Sequence, residues 1–286
     1  MELFLVMICL LHDVFLLAAA GQETAAPDVP WSQNYAILFG QDHIQFLNQG
    51  TEIQLSIDQF SGSGFRSLKT YGSGFFGMRI MLPPGDSTSI ITTLYLRSYA
   101  NKHDEIDFEF LGNSTPPYLL QTNIFTDGRG GREQRIRLWF DPTKDFHDYR
   151  VLWNQHQVVW FVDDLPIRVF ENKVNIGVKF PVQAMQIEAT IWTAAWASPS
   201  GKTPSWDEGP FRAYFQGLNI DGCVAQNNTI ATPCFGSNFW WNGNNYWKLD
   251  PNQLKAYLDV RSKYLDYDYC TDGPDHNPEC QTQYIG

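Results

Sequence analysis

From about residue 30 to 220, apolar and polar positions alternate in short runs. Residues Glu52–Ile57 (E-I-Q-L-S-I), 77–82 (G-M-R-I-M-L) and 135–140 (R-I-R-L-W-F) follow a two-residue period, the mark of a strand with one buried face. Residues 151–153 and 158–162 are β-branched and aromatic, and the polar N-Q-H-Q between them predicts a turn. Glycine and proline punctuate the rest: S-G-S-G at 61–64, P-P-G-D at 83–86, D-G-R-G-G at 127–131. Many short strands with such breaks predict an all-β sandwich. No helical period of useful length precedes residue 251. There P-N-Q-L-K-A-Y-L-D-V-R-S-K-Y predicts one helix over 251–264, with Asp250 as N-cap and Pro251 at the first helical position.

One strand departs from ordinary alternation. Residues 103–110 read H-D-E-I-D-F-E-F. Glu105, Asp107 and Glu109 share a face with His103, while Ile106, Phe108 and Phe110 point the other way into a core. A solvated edge strand with idle acids is the plain alternative. Against it, acidic residues are poor strand formers, and carboxylates in a row repel. Glycoside hydrolysis with retention needs two carboxyl groups about 5–5.5 Å apart. Residues i and i+4 of a strand are about 13 Å apart, but two glutamates leaning toward each other close much of that gap. Asp107 between them would couple the three titrations, keeping one acid protonated while another is ionised.

Composition narrows the partners. Aromatics are 15% of 286 residues, with 10 Trp and 13 Tyr, more than a core needs and suited to stacking on sugar rings. The net charge of −11 and the lack of a basic patch argue against nucleic acid. A neutral polymer is compatible.

Residues 1–20 are mostly apolar and end in Ala18-Ala19-Ala20, as a secretory signal peptide does. No Lys or Arg precedes the run, and His12-Asp13 interrupts it. A membrane anchor is the alternative, but the interrupted run is short for a span. Cys9 lies in this segment. The other four cysteines cluster late, and their spacings favour two local disulfides, Cys223–Cys234 and Cys270–Cys280. A zinc site is the weaker alternative, since no pair has C-x-x-C spacing. Sequons stand at Asn113 and Asn227, with Pro116 directly after the first. The division expected is a signal peptide at 1–20, a β-sandwich catalytic domain at 21–220 and a disulfide-tied extension with the one helix at 221–286.

H-D-E-I-D-F-E-F-L-G-N resembles the active-site strand of plant xyloglucan endotransglucosylase/hydrolases of glycoside hydrolase family sixteen. The likeness extends through D-H-I-Q-F-L-N at 42–48, Q-T-N-I-F-T at 121–126, L-W-F-D-P-T at 138–143, F-V-D-D-L-P-I-R-V-F at 161–170 and I-D-G-C at 220–223. It implies a curved β-jelly-roll sandwich with an open cleft on its concave face. It implies Glu105 as nucleophile, Glu109 as general acid/base and Asp107 as the assisting carboxylate. Tyr95, Gln121, Asn123 and Arg135 match cleft residues that bind glucosyl units, and Trp192 and Trp196 match stacking tryptophans. For each, an ordinary residue of the sandwich is the alternative. His103 is read as supporting the motif rather than as a catalyst. Asn113 matches the family's glycan site. The implied protein is secreted to the plant cell wall or apoplast and works as a monomer with no metal or cofactor. It transfers the β-1,4-glucan backbone of xyloglucan from donor to acceptor. An endo-hydrolase and a non-catalytic glucan-binding protein are the alternatives.

The chain departs from the family in places. The family's loop near W-N-A-D-D-W-A-T is here W-T-A-A-W-A-S at 192–198, shorter and without acids. Phe39 stands where Trp is usual, Gly72-Ser73 where Leu-Phe is common, and Ala256 and Asp259 where an arginine and a tryptophan near the acceptor end are expected. These changes leave the reaction class intact and open the donor to chains without xylosyl branches, such as mixed-linkage β-glucan or cellulose.

Overall fold

Among the described residues the chain folds as sixteen strands. The computed structural model describes residues 28–198, 201–226, 231–273 and 277–281. In chain order the strands are β1 (Tyr35–Phe39), β2 (Ile44–Leu47), β3 (Glu52–Ile57), β4 (Ser63–Ser67), β5 (Tyr71–Met81), β6 (Ile90–Arg97), β7 (Glu105–Leu111) and β8 (Leu119–Phe125). They continue with β9 (Gln134–Arg137), β10 (His147–Trp153), β11 (Gln157–Val162), β12 (Leu165–Glu171), β13 (Gln186–Thr193), β14 (Phe211–Gln216), β15 (Asp221–Val224) and β16 (Leu265–Asp268). One sheet has the order β1-β4-β13-β6-β7-β8-β9-β16. The other runs β12-β11-β10-β5-β14-β3-β2, with β15 also on β5. All pairings are antiparallel, and neighbours far apart in sequence, such as β13 beside β6, give the crossovers of a jelly-roll-like sandwich.

The inner faces of the two sheets enclose the main core. Ile106, Phe108 and Phe110 of β7 are at most 1% exposed, and the rings of Phe108 and Phe110 meet Tyr149 of β10 edge-on. This burial fixes which face of β7 the carboxylates take, because a one-residue slip would put all three acids into the core.

The segment 251–264 is α1 (Pro251–Tyr264), capped as its sequence implies. Asp250 accepts from the Asn252 and Gln253 amides, and the Gln253 side chain accepts from the Asp250 amide. Tyr257 and Val260 are its buried residues. Both disulfides form as their spacing suggests, Cys223–Cys234 and Cys270–Cys280. Beyond residue 220 the chain adds to both sheets, β15 to β5 and β16 to β9. The apolar residues 1–20 and Asn227 lie outside the described residues.

Two expectations change in detail. The strand anticipated over 135–140 ends at Arg137, since Trp139 turns onto Tyr264 and Phe140 stacks on His147 at 3.5 Å. The alternation of β3 does not expose one face: all six residues are buried, with Ser56 donating to the His43 carbonyl and Glu52 accepting from Asn48 and Gln216.

Candidate active site

Strand β7 lies between β6 and β8 near the middle of its sheet, and register sets its neighbours. Glu105 faces Arg97 and Phe125, Asp107 faces Tyr95 and Asn123, and Glu109 faces Thr93 and Gln121. These residues share the outer face of the sheet and line a cleft of about 680 Å³. Trp192 and Trp196 close one side, their ring centroids 6.0 Å apart and inclined at 59°.

The three carboxyl groups differ in their partners. Glu105 Oε2 lies 2.9 Å from Arg97 Nη1 and 3.6 Å from His103 Nε2. The same oxygen is buried and has no aligned hydrogen-bond donor, so Arg97 meets it as an ion pair rather than as a directed hydrogen bond. Glu109 Oε2 accepts from Gln121 Nε2 at 2.8 Å, and among the described residues no cation pairs with it. Asp107 is 5% exposed between them. Burial, reinforced by both glutamates, raises its carboxyl well above the ordinary range, so it holds a proton and shares it with Glu105. Burial also raises Glu105, against which Arg97 and the Asp107 hydrogen bond favour the anion. Glu109 is raised by burial and by the charge of Glu133, with Gln121 opposing. Burial thus raises both glutamates, Glu105 to about 7, and the three acids titrate as one coupled set; what distinguishes Glu105 is the Arg97 cation beside it, which favours its anion.

The remaining expected residues fall in two groups. Tyr95, Gln121, Asn123, Trp192 and Trp196 line the cleft. Asn123 donates to Glu133 at 3.0 Å and accepts from the Ile124 and Arg132 amides. The Tyr95 hydroxyl donates to Glu188 at 2.6 Å. His103 and Arg135 stand beside the cleft rather than in its lining. His103 stacks on Phe125 at 5.2 Å. Arg135 lies over the Tyr267 ring at 4.8 Å, 4.0 Å from Asp266. Among the described residues, no group of three or more His, Cys, Asp or Glu side chains is arranged to hold a metal ion.

The sequence reading missed Arg97, Glu133, Glu188 and the supports beneath β7. Arg97 follows from the alternation T-L-Y-L-R, which puts Thr93, Tyr95 and Arg97 on one face. Glu188 is 2% exposed and takes hydroxyl hydrogen bonds from Tyr95 and Tyr99. From the opposite sheet, Trp160 Nε1 donates to the Asp107 carbonyl at 3.0 Å. Arg168, 1% exposed, lies over the Trp160 ring at 4.7 Å and donates to the Thr122 and Arg132 carbonyls.

Residues 31–208 match the model for Glycosyl hydrolases family 16, and residues 236–280 match that for Xyloglucan endo-transglycosylase (XET) C-terminus. The putative xyloglucan endotransglucosylase/hydrolase protein 1 of Arabidopsis thaliana is 48% identical over 246 residues, 85% of this chain and 83% of its own. The chain belongs to the xyloglucan endotransglucosylase/hydrolase family. Xyloglucan endotransglucosylase protein 2 of Diospyros kaki is 45% identical over 287 residues, 98% of this chain and 95% of its own. A Bacillus licheniformis beta-glucanase shares the fold, with a TM-score of 0.55 at 21% identity, over 64% of this chain and 89% of that one.

The departures of this xyloglucan endotransglucosylase/hydrolase fall in three places. Phe39, Trp192 and Trp196 line the cleft, and Trp196 is 55% exposed on the shortened loop. Gly72 and Ser73 lie instead under the C-terminal segment. A Cβ on Gly72 would approach the Ala231 Cα to 2.9 Å, and Ser73 Oγ donates to the Cys234 carbonyl and accepts from Trp241 Nε1. Ala256 and Asp259, expected near the acceptor end, line a separate pocket with Trp139, Leu165 and Tyr264. Asp259 there pairs with Lys255 one helical turn away at 2.8 Å, because α1 packs its buried face on the β12 side of the sandwich.

Proposed function

We propose that this protein is a secreted endo-transglucosylase of the plant cell wall. It cleaves the β-1,4-glucan backbone of xyloglucan and joins the new end to another xyloglucan chain with retention of configuration. The observation that carries this is the row Glu105, Asp107, Glu109 on one cleft face, with Arg97 paired to Glu105 and, among the described residues, no cation paired to Glu109. In the first step a Glu105 oxygen bonds to the anomeric carbon as the glycosidic bond breaks and Glu109 gives its proton to the departing oxygen. In the second, Glu109 takes the proton from an acceptor hydroxyl, which displaces Glu105 from the anomeric carbon. Water in the acceptor's place gives hydrolysis.

The half-buried Asn113, just beyond β7, is the glycan-bearing residue of this reading, and the protein acts as a monomer. Tyr95, Asn123, Gln121 and the two cleft tryptophans bind glucosyl units, and His103 and Arg135 assist from the margin. Among the described residues no helix is long and apolar enough to cross a membrane.

A second reading concerns the donor. The shortened loop around Trp196 and the Phe39 side chain both line the cleft, and a cleft remodelled at these two places opens the donor to chains without xylosyl branches. Product sizing with a labelled xyloglucan oligosaccharide acceptor tests both readings, with xyloglucan, mixed-linkage glucan and soluble cellulose as donors. Transfer lengthens some chains, whereas products that are only shortened would make the protein a hydrolase. A wide preference for xyloglucan would exclude the undecorated donors.

A further inference from the structure

Three tryptophans are exposed among the described residues. Trp196 lies in the catalytic cleft, and Trp240 and Trp247 lie together elsewhere, each 45% exposed, with Tyr246 between them at 37%. They belong to W-W-N-G-N-N-Y-W at 240–247. This segment covers the outer face of the second sheet, where Trp241 and Tyr257 pack on Leu152, Val159, Phe161 and Val169. The catalytic cleft opens on the outer face of the first sheet, so the two surfaces are on opposite sides of the sandwich.

The exposed rings border two adjoining grooves. One, of about 260 Å³, is lined by Trp240, Tyr246, Gln157, Asn245 and Gln253. The other, of about 390 Å³, is lined by Trp247, His156, Asn172 and Asn175. Lys248 lines both, which makes them one surface. Trp247 stacks one face on His156 at 4.2 Å, and Trp240 meets Tyr246 at 5.0 Å and 67°. The stacking pair of the cleft, Trp192 and Trp196, has similar spacing and inclination.

This surface is held in place before any ligand arrives. Asn154, fully buried, donates to the Trp241 and Tyr246 carbonyls, and Gln157 also donates to that of Tyr246. Trp247 Nε1 is tied to the Asn242 carbonyl at 3.0 Å. Rings fixed in this way cost little order on binding, and a contiguous exposed aromatic patch marks an interaction site.

The local charges select the occupant. Arg150 is paired with Asp148 and Asp164, and Lys173 with Glu171. What remains is aromatic faces beside carboxamides, with the exposed Lys248 at their junction, whose flexible stem lets its charge stay in water. That combination suits a neutral chain of pyranose rings, whose C–H faces stack on the rings while its hydroxyls meet the amides. We propose that this surface is a second, non-catalytic binding site for a neutral β-linked glucan chain. The proposal rests on the reading that the enzyme acts on such a polymer. Holding the polymer here raises its local concentration at the cleft.

The test uses the full chain carrying Glu105→Ala, so that no turnover occurs, and measures its retention on immobilised xyloglucan. Adding Trp240→Ala and Trp247→Ala is expected to weaken retention by about fivefold or more, the remainder coming from the cleft. With Glu105 intact, the same pair of changes leaves transfer from a short xyloglucan oligosaccharide within about twofold of the parent. Trp247→Ala alone, which removes an exposed ring rather than a buried core side chain, serves if the double change lowers the thermal midpoint. Cello-oligosaccharides elute the protein and oligogalacturonides do not. Unchanged retention in a folded variant overturns the proposal. So does an equal fall in short-donor transfer, or elution by oligogalacturonides alone. A parent that transfers nothing yet loses retention on Trp247→Ala would instead sink the enzymatic reading and leave the second site standing.

Discussion

Arg97 Nη1 lies 2.9 Å from Glu105 Oε2, on the neighbouring strand and directly opposite in register. Its positive charge lowers the Glu105 carboxyl against the upward push of burial and of Glu109 and Glu188. Attack on the anomeric carbon needs the carboxylate, so this ion pair sets the acidic limb of kcat/KM. Replacing Arg97 with Gln keeps a polar side chain but removes the charge. The acidic limb should move to higher pH by about one unit, since a partly exposed arginine acts through some solvent screening. A pH–rate profile measures this, and a limb that stays in place would show that Arg97 does not govern Glu105.

The same group links function to stability. Glu105 is pushed up to about 7 in the folded protein from an ordinary value of 4.5. A carboxyl raised in this way binds its proton more tightly when folded. Its stabilising contribution is therefore fully present below about pH 4.5 and lost as pH rises through about 7. At about 1.4 kcal/mol per pH unit the ceiling is about 3 kcal/mol, and sharing with Asp107 brings the expectation to about 1–3 kcal/mol. Glu105→Gln should thus flatten the fall in thermal midpoint between pH 5 and pH 8 while abolishing turnover. Equal pH slopes for parent and variant would mean that the acid row costs the fold nothing.

Much of this was legible in local patterns. The one-face acids of H-D-E-I-D-F-E-F, the Asp250-Pro251 start of α1 and the ten-residue cysteine spacings each reflect physics that acts over a few residues. Strand β3 was placed to its ends by its alternation. Arg97, Glu188, Trp160 and Arg168 were not singled out, because their roles come from pairing between strands distant in sequence. Trp160 looks like any core tryptophan until the second sheet sets it under Asp107. The end of β9 was misjudged for a related reason: R-I-R-L-W-F keeps its period, but Trp139 and Phe140 find ring partners in Tyr264 and His147, outside the sheet. Ala256 and Asp259 were assigned to the acceptor end from the family pattern, and α1 sets them in a pocket with Trp139, Leu165 and Tyr264, apart from the lining of the cleft.

The support beneath the acids is a further point of test. Trp160 is fully buried, donates to the Asp107 carbonyl and carries Arg168 on its ring. Trp160→Phe removes that donor and leaves a small void, at a cost of about 2–3 kcal/mol. Thermal denaturation should register the loss. The kcat should fall more than KM rises, because the change loosens the strand that holds the acids and touches no substrate. A fall in stability with kcat intact would confine Trp160 to packing.

The central claim is that Glu105 forms the covalent bond to the donor. Peptide mass spectrometry after acid quenching of the enzyme with a donor oligosaccharide and no acceptor tests it most directly. The expected result is a glycosyl mass on the peptide containing Glu105, absent from Glu105→Ala. No adduct under turnover, or an adduct carried by Glu109, would contradict the account.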